Sequence, residues 1–278
     1  MKLYFKPLLT LATIVLPFCL TAAAQSKDFK KTVDLEQGGS LSLSTDKGSV
    51  RLSSWSQNQV EIVARIDPPD EVSPDYARRA IEGVVIEVLG GGRSLTIRSN
   101  FEGVPYREDF GGRSRTLPNV HYEIRAPRSL KLNVDIDRSR VDLNGFEGSI
   151  EIHSDRTPVT ATDIAGDIRL RMDRGELTLS KVRGALNVDT DRTDINLQGV
   201  RFEGDSRFDM DRGELDIKLA ESQGLSIQTD LSRRGDFTTD LQISMQNMRG
   251  KNFDGTINGG GPRVVFRTDR GRIRLRRE

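Results

Sequence analysis

Cysteine is nearly absent from this chain: 278 residues hold one, Cys19, alongside one tryptophan and two histidines. A disulfide scaffold and a cysteine-built zinc site are thereby excluded. Charge of one sign is also missing. Lys plus Arg number 42 and Asp plus Glu 41, a net charge of +1, which argues against a nucleic-acid binder or an acidic tail protein. Aromatics are only 6% while charged residues reach 30%, too little bulk for a thick globular core. Beyond the first 20 residues there is no long hydrophobic run, so no membrane span is expected in the mature chain.

What is present begins with an export signal. Lys2 and Lys6 form a basic start, Leu8 to Leu20 is apolar, and Ala22-Ala23-Ala24 offers a small-residue cleavage site before Gln25. Leu16-Pro17-Phe18-Cys19 has the outline of a lipobox, but bulky Phe18 stands where a small residue is wanted. Cleavage after residue 24 is therefore expected, with a periplasmic, cell-surface or extracellular destination. The segment takes two basic residues and no acidic ones, leaving a net charge of −1 and no cysteine. An exported chain without cross-links must be held together by packing alone.

An internal repeat dominates the rest. Asp-Arg recurs at Asp137, Asp155, Asp173, Asp191 and Asp211, spaced 18, 18, 18 and 20 residues apart. Gly148, Gly166, Gly184 and Gly204 each precede one of these aspartates by seven residues. Apolar residues keep the register in five columns: Val141, Val159, Leu177 and Ile195; Leu143, Ala161, Leu179 and Leu197; Phe146, Ile164, Val182 and Val200; Ile150, Ile168 and Leu186, broken by Ser206; and Ile152, Leu170, Val188 and Phe208. Within each unit, apolar and polar residues alternate, as in Ser149-Ile150-Glu151-Ile152-His153, the mark of strands with one buried face. An all-β solenoid with coils of about 18 residues follows. No coil buries enough to fold alone, so the coils must stack.

The same signature recurs at Gly39-Ser40-Leu41-Ser42-Leu43, with Val50, Leu52 and Trp55 matching three core columns, and again around Asp269-Arg270-Gly271. Residues 25–278 are expected to form one solenoid domain, with an insertion or cap at 56–128, regular repeats at 129–237, and an irregular coil plus final strands at 238–278. The insertion carries a strand from Gln59 to Ala64, and Ser73-Pro74-Asp75 starts a helix ending near Glu82. Strands at Val84 to Val88 and Leu95 to Ile97 flank a Gly90-Gly91-Gly92 turn, residues 101–117 read as a mobile loop, and Val120 to Ala126 is a further strand. Arg272, Arg274, Arg276 and Arg277 read as the charged outer face of a last strand, blunting its edge.

These residues resemble a family. Gly39 to Thr45, Gly48-Ser49-Val50, Trp55, the helix and strand pair, Tyr122 to Pro127 and the glycine-punctuated repeats together look like the DUF4097-type β-strand-repeat proteins, labelled adhesins. The resemblance covers about residues 28–278. It implies a right-handed β-solenoid on an exported bacterial protein, adhesin-like in role, and brings no catalytic residues with it. This chain departs from the pattern by placing Asp-Arg where small turn residues are usual.

The Asp-Arg columns are the main candidate for chemistry. Stacked coils lie about 4.8 Å apart, so each column repeats one charge at that spacing, and the neighbouring column offsets the repulsion. One reading is a turn device: Asp accepts from the backbone two residues on, and Gly175, Gly213 or Gly271 supplies a positive φ. The other is a flat recognition strip for sulfated or carboxylated glycans, with Arg174, Arg192 and Arg212 donating and Asp173, Asp191 and Asp211 beside them. The Asp-x-Asp pairs at 135, 189 and 209 suggest calcium, but Arg follows each directly and opposes a cation. No zinc motif, phosphate loop or Ser/His/Asp spacing is visible, and no metal or cofactor is expected. The resulting expectation is a non-enzymatic binding or structural module that meets an envelope polysaccharide or a surface protein and no nucleic acid. The alternatives are a polysaccharide lyase or hydrolase on a β-helix, or an architectural spacer.

Overall fold

A computed structural model describes residues 26–109 and 112–278. The export segment and Cys19 lie outside the described residues. Among these, no helix is long and apolar enough to cross a membrane.

The chain is almost wholly strand, and 17 strands join one continuous sheet. Period-two alternation sets the geometry. In Ile168–Gly184 and Leu186–Phe202 the apolar members point inward and the charged ones outward. Those two strands pair in parallel with Ile168 on Leu186, Leu177 on Ile195 and Leu179 on Leu197, an offset of 18 residues. Ile150–Arg156 and Val159–Ala165 pair on the other side of residues 168–183 at the same offset. The chain thus coils with two strand segments per turn. All five apolar columns are buried, from Val141 at 0% exposure to Ile195 at 2%.

A sixth column lines the inside of the Asp-Arg corner: Ile136, Ser154, Met172, Thr190 and Met210, all buried. Its size is compensated three residues later. Met172 is followed by Gly175 and Met210 by Gly213, whereas Ser154 is followed by Thr157 and Thr190 by Thr193. A Cβ on Gly175 would sit 3.1 Å from the Met172 methyl, but the nearer obstacle is backbone of the preceding coil, Thr157 O at 2.5 Å there and Thr193 O at 2.1 Å at Gly213. Gly175 and Gly213 have positive φ, as expected, but Gly271 does not. Its N–H instead donates to Thr268 Oγ1 at 2.8 Å.

Both ends of the stack are interleaved. Residues 39–53 pair on one side with 130–144, and on the other with 94–98 and 120–127. Lys27–Trp55, Gln59–Asp67 and Asn119–Pro127 pair with one another in turn, closing a small ring there. At the other end Arg263–Thr268 and Arg272–Arg277 slot between residues 206–219 and residues 226–239. The C-terminal arginines therefore do not blunt an edge. They bind the neighbouring coil: Arg272 meets Glu214 at 2.9 Å, Arg277 meets Glu221 at 2.7 Å, and Arg276 pairs with Asp216.

The helix is Pro74–Glu82, with Ser73 Oγ accepting from the Tyr76 N–H at 3.3 Å. It buries Tyr76, Ala77, Ala80 and Ile81. Tyr76 also organises the stretch read as a loop. Its hydroxyl donates to Pro105 O at 2.9 Å and accepts from the Thr116 N–H at 3.1 Å. Between those anchors, Arg107–Asp109 and Gly112–Ser114 form a small antiparallel pair. Val85–Asn100 turns back at its glycines, bringing Asn100 Nδ2 to Glu87 Oε1 at 2.7 Å. Trp55 is only half-buried and leaves its core column: its indole N–H donates to Gln59 O at 2.7 Å, and Arg125 stacks over the ring.

Candidate functional site

Parallel register brings the predicted arginines together. Arg174 lies on Arg192, and Arg192 on Arg212, along one corner of the stack. Most of that corner is neutralised within the chain. Arg192 Nε lies 3.6 Å from Asp191, and Arg212 Nε 3.6 Å from Asp211. Both carboxylate oxygens of Asp211 also accept from Arg270 Nη2 of the interleaved last coil, at 3.1 and 3.2 Å. Desolvation pushes the Asp211 carboxyl up, but hydrogen bonds from Arg270 and with Asp191, and the charges of Arg270 and Arg212, outweigh it. The group is held below its ordinary range. The Asx-type turn expected of these aspartates is replaced by guanidinium contacts, as in Arg138 Nε to Asp137 at 3.0 Å. Among the described residues, only Arg174 and Asp173 of the six candidates have no partner.

Beside this corner, the outward face of the first strand segment is concave. A cavity of about 530 Å³ is lined by Glu151, His153, Arg169, Arg171, Asn187 and Arg207, with other residues. A second, of about 310 Å³, shares Glu151, Arg169 and Asn187 and adds Lys131 and Asn133. Arg171 faces Asp189 at 3.6 Å and Arg207 holds Asp209 at 2.8 Å. Arg169 sits where the two cavities meet, exposed and without an ion pair or hydrogen bond among the described residues. At the far end of the face, Asp46 is pushed above its ordinary value, first by burial and then by Asp137. No group of three or more His, Cys, Asp or Glu able to hold a metal ion occurs among the described residues.

No protein-family model matches the chain, and no curated protein does. The DUF4097-type resemblance thus has no family-model match behind it. Solved structures are similar at low identity. A putative cell adhesion protein from Clostridium sporogenes matches 91% of this chain and 100% of its own, with 10% identity and a TM-score of 0.40. A putative lipid binding protein from Parabacteroides distasonis matches 89% and 96%, with 11% identity and a TM-score of 0.41. A putative adhesin from the same species matches 92% and 98%, with 11% identity and a TM-score of 0.37.

One constellation escaped the sequence reading, because its members are distant along the chain. Ser49 Oγ bonds His121 Nδ1 at 2.8 Å, and His121 Nε2 lies 3.6 Å from Asp67. The second distance is beyond a hydrogen bond. The three residues stand on three mutually paired strands. Arg169, Lys131 and Asn187 were legible in principle: they occupy the outward phase of the same alternation that revealed the core.

Proposed function

We propose that this chain is an exported, non-enzymatic binding module of the cell envelope, which holds an extended acidic glycan on the concave face around Arg169. Residues 1–24 direct export, and residues 25–278 form one domain whose coils wind right-handed. The observation that carries the reading is the pair of free guanidinium groups. Arg169 joins two cavities, Arg174 stands on the adjacent corner, and neither has a partner among the described residues. A free Arg offers a planar, bidentate donor to a carboxylate or sulfate, and Asn133 and Asn187 add neutral donors and acceptors beside it. The paired residues Arg192, Arg212, Asp191 and Asp211 become the rim of the site.

The test is retention of purified envelope polysaccharide by the protein, scored together with release of oligosaccharide fragments. Retention without release, lost in Arg169→Glu combined with Arg174→Glu, is the expected result. Fragment release would make the protein a lyase or hydrolase. Failure to retain any polysaccharide would leave it a spacer or a ligand of proteins.

A further inference from the structure

The corner opposite the Asp-Arg turns carries three cations without an ion pair, with the Glu278 carboxylate nearby at Gly199. Lys181, Arg183 and Arg201 are exposed, and Arg183 and Arg201 are register partners on neighbouring coils. Among the described residues none of the three has an ion pair or a hydrogen bond. The same corner is neutralised one coil earlier, where Arg128 meets Glu147 at 2.9 Å and Asp163 at 3.8 Å. The last coil matches its arginines to acids as well. What sets this corner apart is that three unpaired cations stand together in it.

The backbone supplies an independent observation. Each coil turns this corner through one residue with φ in the left-handed region: Gly145 at 83°, Asp163 at 55°, Lys181 at 54° and Gly199 at 60°. Glycine takes that conformation without strain, and a residue with a Cβ does not. Asp163 puts its side chain to use on Arg128. Lys181 has the same backbone conformation but no ion pair or side-chain hydrogen bond among the described residues. Strain retained without an internal contact points to a contact outside.

We propose that Lys181, Arg183 and Arg201 form a binding site for a phosphate-bearing polymer. The backbones of Arg183 and Arg201 lie about 4.8 Å apart as paired strands, so two like charges share one corner, and each guanidinium can grip phosphate oxygens with two N–H groups. Lys181 adds a mobile point charge two residues along the strand. The site lies outside both Arg169 cavities, so it goes beyond the glycan reading and can fail separately from it.

The experiment measures fluorescence anisotropy of end-labelled inorganic polyphosphate titrated with the full chain at physiological salt. In parallel, the protein is sedimented with equimolar phosphatidylglycerol and phosphatidylethanolamine vesicles. Polyphosphate should bind. Arg183→Ser and Arg201→Ser should each weaken it by roughly 5-fold or more, as loss of a charge-assisted contact requires. Arg249→Ser, a change of an exposed arginine outside this corner, should leave the affinity unchanged. Lys181→Gly gives the sharpest readout, because the two effects have opposite signs: affinity should fall while the melting temperature rises, as the strained residue is relieved. Full affinity in the Arg183→Ser, Arg201→Ser double variant would overturn the proposal. So would equal weakening by Arg249→Ser, or protein that binds the vesicles through these residues and ignores polyphosphate. Lys181→Gly with undiminished affinity would overturn the argument from strain.

Discussion

Gly184→Ala should cost far more than a single methyl group suggests. Gly184 has φ 141°, and a Cβ there would lie 2.2 Å from Gly166 O and 2.6 Å from Gly166 C on the preceding coil. Nothing flexible can give way, because both atoms are backbone. Ordinary contact would require the coils to part by about 1 Å, the margin between overlap and van der Waals separation. The bonds that hold them there are Gly166 N–H to Arg183 O at 2.8 Å and Ile168 N–H to Ala185 O at 2.9 Å. Losing two such bonds costs about 2 kcal/mol, and a Cβ at positive φ adds about 1–2 kcal/mol. The sum, about 3–4 kcal/mol, should lower the melting temperature by about 10 °C for a chain of this size. The control is Gly204→Ala in the same sequence column. Gly204 lacks the positive φ, and the nearest atom to a new Cβ is the Ala185 Cβ at 3.1 Å, a side-chain atom. Its loss should stay under about 1 kcal/mol, the range of a mild surface change. Thermal melts followed by far-UV circular dichroism decide the matter. If Gly184→Ala melts within the error of the parent, or Gly204→Ala falls equally far, close coil approach is not what requires glycine here.

Two further outcomes are expected. Arg192→Ala should cost less than about 1 kcal/mol, since its pair with Asp191 is long and both side chains stay over two-fifths exposed; a urea titration showing a much larger loss would mean the ladder holds the coils together. Asp46 has a folded-state pKa above its unfolded value, so its ionisation disfavours the fold as pH rises through that window. Asp46→Asn should therefore raise the melting temperature at pH 7, with the difference vanishing below about pH 4, where the carboxyl is protonated in both states; equal melting temperatures at pH 7 would count against this.

The coils were legible because their signal is redundant. Leu177, Leu179 and Ile195 repeat one environment at one spacing, and the structure buries all three. The sixth column was not legible, because Ser154 and Thr190 alternate there with Met172 and Met210. The residue three positions on alternates with it, Gly after Met and Thr after Ser or Thr, a pairing that no hydropathy pattern displays. Ends were harder still. Arg272 and Arg276 look identical in sequence whether they face solvent or a neighbouring coil; only the long-range pairing with Glu214 and Asp216 separates the two. The functional candidates shared that difficulty. Arg174, Arg192 and Arg212 form one sequence class, yet what distinguishes Arg174 is the absence of a partner, a property of the folded surroundings.

The interleaved ends fix the order in which the molecule can be made. A simple solenoid can be wound from one end, each coil docking on the one before. Here the first coil, residues 39–53, completes its ladders only after residues 94–98, 120–127 and 130–144 have arrived. The last coil must enter a slot between two layers already synthesised. Such pairings close long loops, which is slow, so the middle coils are the natural place for folding to begin. The first coil cannot complete its ladders until about half of the chain, through residue 144, is available. The strands of the first and last repeats, residues 39–53 and 263–277, thus lie between other layers of the stack, held from both sides by chain that is distant in sequence.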